Sequence, residues 1–415
     1  MIRLIPAVIL VALLLTGSGC TGRRQETKSV TDTAKENNGI IQDITDTLSS
    51  CADSVINTMS VERKAAQFFM PAIYASDDWY TLKKAKEYAD MGVAGLILLK
   101  GDSNAAAVIA DSMATWCEIP PFIAIDAEWG LAMRLKDAPE FPLNSKISPE
   151  AGEIAMYDYG YELARECRML GINMVLGPVL DISSEGSYIG NRSFGNDVER
   201  VSDFAVAYAR GLESGNVMSV AKHFPGHGAA KGNSHQSKPS IYRSLQSLDS
   251  IDLKPFKRYI EQRLSGIMVG HMAFPAIDPE MLPAAVSRTV ITDLLREDLC
   301  YDGLVLTDAM NMLGAEGYGA DKAISAGADI VLAPSDTKRE ISRVIEAIKN
   351  GKLTDEEINT HLHRILTKKY QLDFGNTHNG KVQKKKEEEV IPDGLFIIET
   401  HRINRELSNE HHMPR

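Results

Sequence analysis

The stretch KHFPGHGAAKGNSH, Lys222–His235, sets three histidines among three glycines and a proline. Imidazoles on so glycine-rich a segment suit metal binding, phosphate cradling or acid/base catalysis. A zinc pair would need His223 and His227 four apart on one helix, but Pro225 and Gly226 stand between them and oppose a helix. A P-loop would close on Gly-Lys-Ser/Thr, and this segment does not. The reading with the fewest objections is a loop histidine held over a binding site as an acid or base.

Other ionisable residues recur on short apolar runs. PFIAID ends at Asp126, VMSVAKHF ends with Lys222 and His223 near its close, LSGIMVGHMAF contains His271, and GLVLTD ends at Asp308. With QFFMPAIY (67–74), VAGLILLK (93–100), INMVLGPVLDI (172–182) and ADIVLAP (328–334), eight such runs occur. Their near-continuous hydrophobicity predicts strands buried on both faces of a parallel sheet. Segments with helical spacing lie between them. SPEAGEIAMYDYGYELARECRML (148–170) opens with Ser and Pro and an early Glu, as a helix start does. SNAAAVIADSMATW, VERVSDFAVAYARGLE and SRTVITDLLRED are similarly amphipathic. The alternation predicts an α/β fold, a (β/α)8 TIM-like barrel forming a single catalytic domain. A doubly wound open sheet is the alternative, but no GxGxxG follows the first strand. Any one of the four strand-end groups is ordinarily a structural polar residue. Four at one barrel rim need partners or a substrate.

The 415 residues are 44% hydrophobic and 24% charged, a globular composition. A net charge of -11 gives no basic footprint for nucleic acid. Arg3, the apolar run IPAVILVALLL and TGSGC read as a secretory signal over residues 1–20, too short in its apolar part for a comfortable membrane span. Cys20, directly after small residues, resembles the lipidated cysteine of a bacterial lipoprotein, although Gly17 replaces the usual leucine three positions earlier. An ordinary cleaved signal is the plainer alternative. Residues 21–55 read as a polar tether, 56–375 as the barrel, and 376–415, with a KKKEEE block, as a tail without periodicity, expected to be disordered. Cys51, Cys117, Cys167 and Cys300 are widely spaced and predict neither a zinc site nor a particular disulfide.

Six ordered blocks resemble glycoside hydrolase family 3 in its β-N-acetylglucosaminidase branch. They are IAIDAEWGLAMRL (123–135), GPVLDI (177–182), GNRSFGND (190–197), KHFPGHG followed by SH, GHMAFPAIDP (270–279) and YDGLVLTDAMNM (301–312). The resemblance covers residues 56–375. It implies Asp308 as catalytic nucleophile and His235 as general acid/base. It implies Asp126, Arg134, Arg192, Lys222 and His223 as residues that grip the terminal sugar. It assigns His227 nothing, and that residue reads as loop-shaping. No cofactor and no metal are implied. Longer family members add a second α/β domain, for which the forty residues of the tail leave no room.

Two departures from the family pattern stand out. Asn233 occupies the place of an aspartate that pairs with the loop histidine, so the acid/base partner here carries no charge. Trp129 replaces a glycine, where a large ring would narrow or pave the sugar subsite or simply pack. The resemblance implies an exported, lipid-anchored retaining β-N-acetylglucosaminidase. It would act on peptidoglycan fragments or other glycans through a covalent glycosyl-enzyme on the periplasmic or cell-surface side of a bacterial membrane. Its alternatives are a catalytically impaired amino-sugar-binding barrel, motivated by Asn233, and a β-glucosidase of the same family.

Overall fold

The structure, a computed structural model, describes residues 45–230 and 239–387, with side chains to residue 373. The expected signal with Cys20, most of the tether, Asn233, His235 and residues 388–415 lie outside the described residues.

Nine parallel strand segments follow one another in chain order: β1 (Phe69–Met70), β2 (Ala72–Ala75), β3 (Gly95–Gly101), β4 (Phe122–Ile125), β5 (Met174–Val175), β6 (Met218–Phe224), β7 (Gly266–Val269), β8 (Leu304–Thr307) and β9 (Val331–Leu332). They follow the eight apolar runs of the sequence, β2 and β3 each extending one residue past theirs. The first run supplies both β1 and β2, split at Pro71, which has no N–H to donate. β2 through β8 pair in sequence order as a seven-stranded sheet, and β1 pairs with β9. Backbone hydrogen bonds join the two sheets into a ring. Thr307 N donates to Ile330 O (2.9 Å), Val331 N to Phe68 O (2.7 Å) and Ala94 N to Phe69 O (2.9 Å). Eight staves therefore surround one core, as the pattern of apolar runs requires. All four residues of β4, β7 and β8 and all seven of β6 are buried, which is why these strands read as continuous apolar runs rather than alternating ones.

Helices cover the outside. Asp102 and Asp197 cap Ser103–Trp116 and Val198–Ser214 by accepting from the third helical N–H. Helix Gly152–Met169 packs on Val198–Ser214 with the backbones in close approach. A Cβ at Gly160 would lie 2.1 Å from Tyr208 O, and one at Gly211 2.1 Å from Tyr157 O. Alanine at either position would push the helices apart.

Both ends of the barrel differ from the expected boundaries. The helix ending at residue 56 buries Ala52 and Ile56 in the core, so the end of the supposed tether belongs to the barrel. Ser49 and His363 share a 2.8 Å hydrogen bond that ties this helix to the last one. The short apolar set Ala52, Val55, Ile56 is too sparse to stand out within a polar stretch. The last helix, Asp355–Glu387, also runs past residue 376, where no element was expected. This stretch lacks apolar periodicity, and only its end, Lys381 and Gln383–Glu387, is rich in good helix formers. Among the described residues, no helix is long and apolar enough to cross a membrane.

Candidate active site

The C-terminal ends of β4, β6 and β8 bring together the charged residues singled out above. Asp126 follows β4 directly, Lys222 and His223 lie within β6, and Asp308 follows β8. Arg134 comes from the loop after β4, one residue beyond the short turn Leu131–Met133, and Arg192 closes the turn Gly190–Arg192.

Lys222 Nζ lies 2.7 Å from Asp126 Oδ1 and 2.7 Å from Glu128 Oε1. The Arg134 guanidinium donates to the other oxygen of Asp126. Arg192 grips Glu128 in a bidentate pair, Nε at 2.9 Å and a terminal nitrogen at 2.7 Å. That terminal nitrogen is also 3.2 Å from His223 Nε2, and His223 Nδ1 is 2.6 Å from Asp181 Oδ2. A guanidinium only donates, so Nε2 of His223 is the acceptor and Nδ1–H donates to Asp181. The other Asp181 oxygen accepts the His227 backbone N–H at 2.6 Å. One network thus spans Arg134, Asp126, Lys222, Glu128, Arg192, His223 and Asp181.

Glu128 and Asp181 were quoted within sequence blocks but given no role. Both are buried, and each organises the cations around it. The signal for Glu128 was its spacing, two residues beyond Asp126 at a strand end. For Asp181 it was a lone carboxylate closing an otherwise apolar run.

The electrostatics follow from this pairing. Burial alone would raise the carboxyl pKa of Asp126, but Lys222 and Arg134 outweigh it and hold the group well below the usual range. Burial would likewise raise Glu128, and Lys222 and Arg192 bring it down. Burial would lower the Lys222 ammonium, yet Asp126 and Glu128 keep it above its ordinary value.

Asp308 is different. One oxygen accepts the Ala309 backbone N–H at 2.7 Å, and among the described residues no ion pair takes up the carboxylate. Burial pushes its pKa up, but the fields of His223 and His271 bring it below the ordinary value. His271 is fully buried just after β7, with Nε2 3.1 Å from Ala309 O, so it braces the backbone that carries Asp308. The result is an ionised carboxylate not already committed to a cation.

His227 is buried against its neighbours, its ring 5.6 Å from that of His223 and 5.9 Å from that of Tyr188. With its N–H on Asp181 it anchors the start of the loop, as its loop-shaping reading expects. Asn233 and His235 fall in the stretch between Ala230 and Pro239, outside the described residues. Trp129 is half-buried beside Glu128. Among the described residues no group of three or more His, Cys, Asp or Glu is placed to hold a metal ion.

Comparison with known proteins agrees with this geometry. Residues 60–368 match the glycosyl hydrolase family 3 N-terminal domain. A β-hexosaminidase of Pseudomonas aeruginosa is 31% identical over 303 residues, spanning 70% of this chain and 89% of that protein. A β-hexosaminidase of Chromobacterium violaceum is 41% identical over 179 residues, 42% of this chain and half the length of that protein. Among solved structures, a family 3 β-N-acetylglucosaminidase from Paenibacillus superimposes with a TM-score of 0.70 at 29% identity, covering 76% of this chain and 64% of that one. With its barrel, its ordered motif blocks and a family match over most of its length, the chain belongs to glycosyl hydrolase family 3.

Proposed function

We propose that the protein is a retaining β-N-acetylglucosaminidase that removes terminal N-acetylglucosamine from glycans, peptidoglycan fragments among them. The observation that carries this is Asp308: an ionised carboxylate with no ion pair among the described residues, facing a wall of paired charges at the barrel mouth. Asp126, Arg134, Lys222, Arg192 and His223 present donors and acceptors there whose positions are fixed by one another. Such a wall suits a ligand dense in hydroxyls. The similarity to β-hexosaminidases supports an N-acetylated amino sugar as that ligand.

In the proposed reaction an Asp308 oxygen attacks the anomeric carbon and forms a C–O bond as the glycosidic C–O bond breaks. His235 gives its proton to the departing oxygen. Water then attacks the glycosyl-enzyme, His235 takes a proton from it, and Asp308 leaves as the free carboxylate. Asp126 and Glu128, already bound to cations, are poor nucleophiles. We further propose that the protein is exported and held at a membrane through Cys20.

An aryl β-N-acetylglucosaminide assayed beside the aryl β-glucoside tests the reading. Preferential hydrolysis of the acetamido sugar supports it. A preference for the glucoside would make the protein a β-glucosidase. Binding of N-acetylglucosamine without turnover would favour an amino-sugar-binding barrel, the reading that Asn233 motivates.

A further inference from the structure

Beside the barrel mouth, three large aromatic side chains within seven residues stand in solvent: Tyr74 (63% exposed), Trp79 (74%) and Tyr80 (70%). Exposed aromatic surface on this scale costs solubility, and a contiguous cluster of it marks a binding surface more often than a scattered one does. This cluster is also ordered. Asp78 caps the helix Trp79–Met91, its side chain accepting from Thr81 N, and Ser76 donates to the same carboxylate. Lys83 Nζ sits 5.1 Å from the Trp79 ring centroid and helps fix its plane.

The strand end that carries Tyr74 is tied through the backbone to the sugar-facing network. β2 and β3 shift register between Ile73 and Ala75, so that Tyr74 opposes Leu99 and Lys100. The strands then close tightly: Ala75 pairs with Gly101, where a Cβ would lie 1.8 Å from Ala75 O. Gly101 N donates to Arg134 O at 3.0 Å, and the Arg134 guanidinium holds Asp126. A cavity of about 410 Å³ opens on the network side of this seam, lined by Lys100, Gly101 and Arg134 among others. Trp79 is four residues past Ala75, so its Cα lies within about 14 Å of this seam. The stave formed by β1 and β2 also stands two positions from β8, which carries Asp308, and two from β4, which precedes Asp126. A chain leaving the mouth in that sector crosses the aromatic cluster.

We propose that Tyr74, Trp79 and Tyr80 form a docking platform for an N-acetylglucosamine-containing oligosaccharide, binding rings beyond the terminal sugar held at Asp126 and Asp308. Sugar rings present apolar C–H faces that lie flat on aromatic rings, while their rims of hydroxyls reach polar neighbours. Asp77, next to Asp78 whose carboxylate is taken by the helix cap, places an acidic residue at the edge of the platform. The identity of the sugar rests on the glycosidase reading above; the platform itself rests on exposure, order and the backbone tie to the mouth.

The test uses the full chain carrying Asp308→Asn, with and without Tyr74→Ala/Trp79→Ala/Tyr80→Ala, titrated with the N-acetylglucosamine disaccharide and pentasaccharide. With the platform intact, the pentasaccharide should bind about tenfold more tightly than the disaccharide, and the triple substitution should erase that gain. In the Asp308 background turnover is absent, so the triple variant is also made alone. It should hydrolyse the aryl glycoside at the parent rate, with an unchanged Tm. No length-dependent gain in the parent, or an equal gain in the triple variant, overturns the platform. Loss of binding to phosphatidylserine-containing vesicles in the triple variant, with oligosaccharide binding unchanged, overturns it in favour of a membrane contact. A parent that hydrolyses no aryl glycoside refutes the glycosidase reading, and the titration still decides whether the aromatic surface binds glycan.

Discussion

Lys222 Nζ lies 2.7 Å from both Asp126 Oδ1 and Glu128 Oε1, on a side chain only 3% exposed. One ammonium therefore bridges two carboxylates, each of which also holds an arginine. Lys222→Met keeps most of the stem's volume and removes the charge. It should abolish glycosidase activity and destabilise the fold by about 3–5 kcal/mol, the usual cost of breaking a buried pair. Asp126 and Glu128 have depressed pKa values in the folded protein, so the stability they contribute is present above their unfolded values and lost as pH falls through the folded ones. Without Lys222 both move up, and protonation relieves the strain. The penalty, measured by denaturant unfolding, should be smaller at about pH 5 than at about pH 8. An equal penalty at both would show that packing of the lysine stem, not its charge, is what matters.

Asp308→Asn should lower turnover by about 10³-fold or more while leaving sugar binding largely intact, because an amide cannot attack the anomeric carbon. A mechanism-based fluorosugar should label Asp308 in the parent. Label on another carboxylate would overturn the assignment. Since His223 and His271 hold Asp308 below the ordinary carboxylate pKa despite its burial, the acid limb of kcat/KM in the parent should lie below the ordinary carboxylate range, and an acid limb above it would overturn the assignment.

The barrel was legible because its strands are buried on both faces. Near-continuous runs such as VMSVAKHF leave little else to read, and β6 occupies Met218–Phe224 within it. The polar ends of those runs located Asp126, Lys222, His223 and Asp308. Sequence showed less well how the charges pair. Glu128 and Asp181 lie in quoted blocks, yet nothing in their spacing says that one receives Lys222 and Arg192 while the other orients His223. Pairing across the barrel depends on which staves face each other, and a one-dimensional pattern does not carry that. The tether was misjudged for a related reason: Ala52 and Ile56 are core residues on a helix whose exposed face is otherwise polar.

Glu166 gives a stability prediction independent of the site. It is 3% exposed on the helix Gly152–Met169, and neither carboxyl oxygen has a hydrogen-bond partner among the described residues. Burial raises its pKa to about 8, with the neighbouring Glu162 adding to the shift. The folded state then holds a proton that the unfolded chain has released, so stability falls as pH rises from about 4.5 to about 8. The slope attributable to this residue is about 1.4 kcal/mol per pH unit at most. Glu166→Gln should flatten it, raising Tm more at the alkaline end than at the acidic end. Identical pH profiles for parent and variant would refute the buried, protonated state.

Cys20→Ser tests the proposed anchor. Lipidation of a cysteine thiol adds acyl chains that partition into the bilayer at about 0.8 kcal/mol per buried CH₂. The variant should move from the membrane fraction to the soluble fraction with its specific activity intact, since Cys20 precedes the family match at residues 60–368. Unchanged membrane association would remove the lipoprotein reading and leave an ordinary signal or another attachment.

Asn233→Asp should raise activity if His235 is the acid/base and Asn233 its uncharged partner. A carboxylate beside the ring stabilises imidazolium and fixes the tautomer; on the barrel wall Asp181 fixes the tautomer of His223 in this way. In a protease triad the reverse change, Asp to Asn beside the catalytic histidine, costs about 10⁴ in kcat. The gain here should be smaller, because the asparagine carbonyl still accepts a hydrogen bond and so orients the ring. It should also depend on the leaving group. An aryl alcohol departs with little protonation, whereas a sugar alcohol needs the proton, so the gain should be larger on a disaccharide than on the aryl glycoside. His235→Ala should show the opposite bias, losing more on the disaccharide. Equal effects on both substrates would remove His235 from proton transfer.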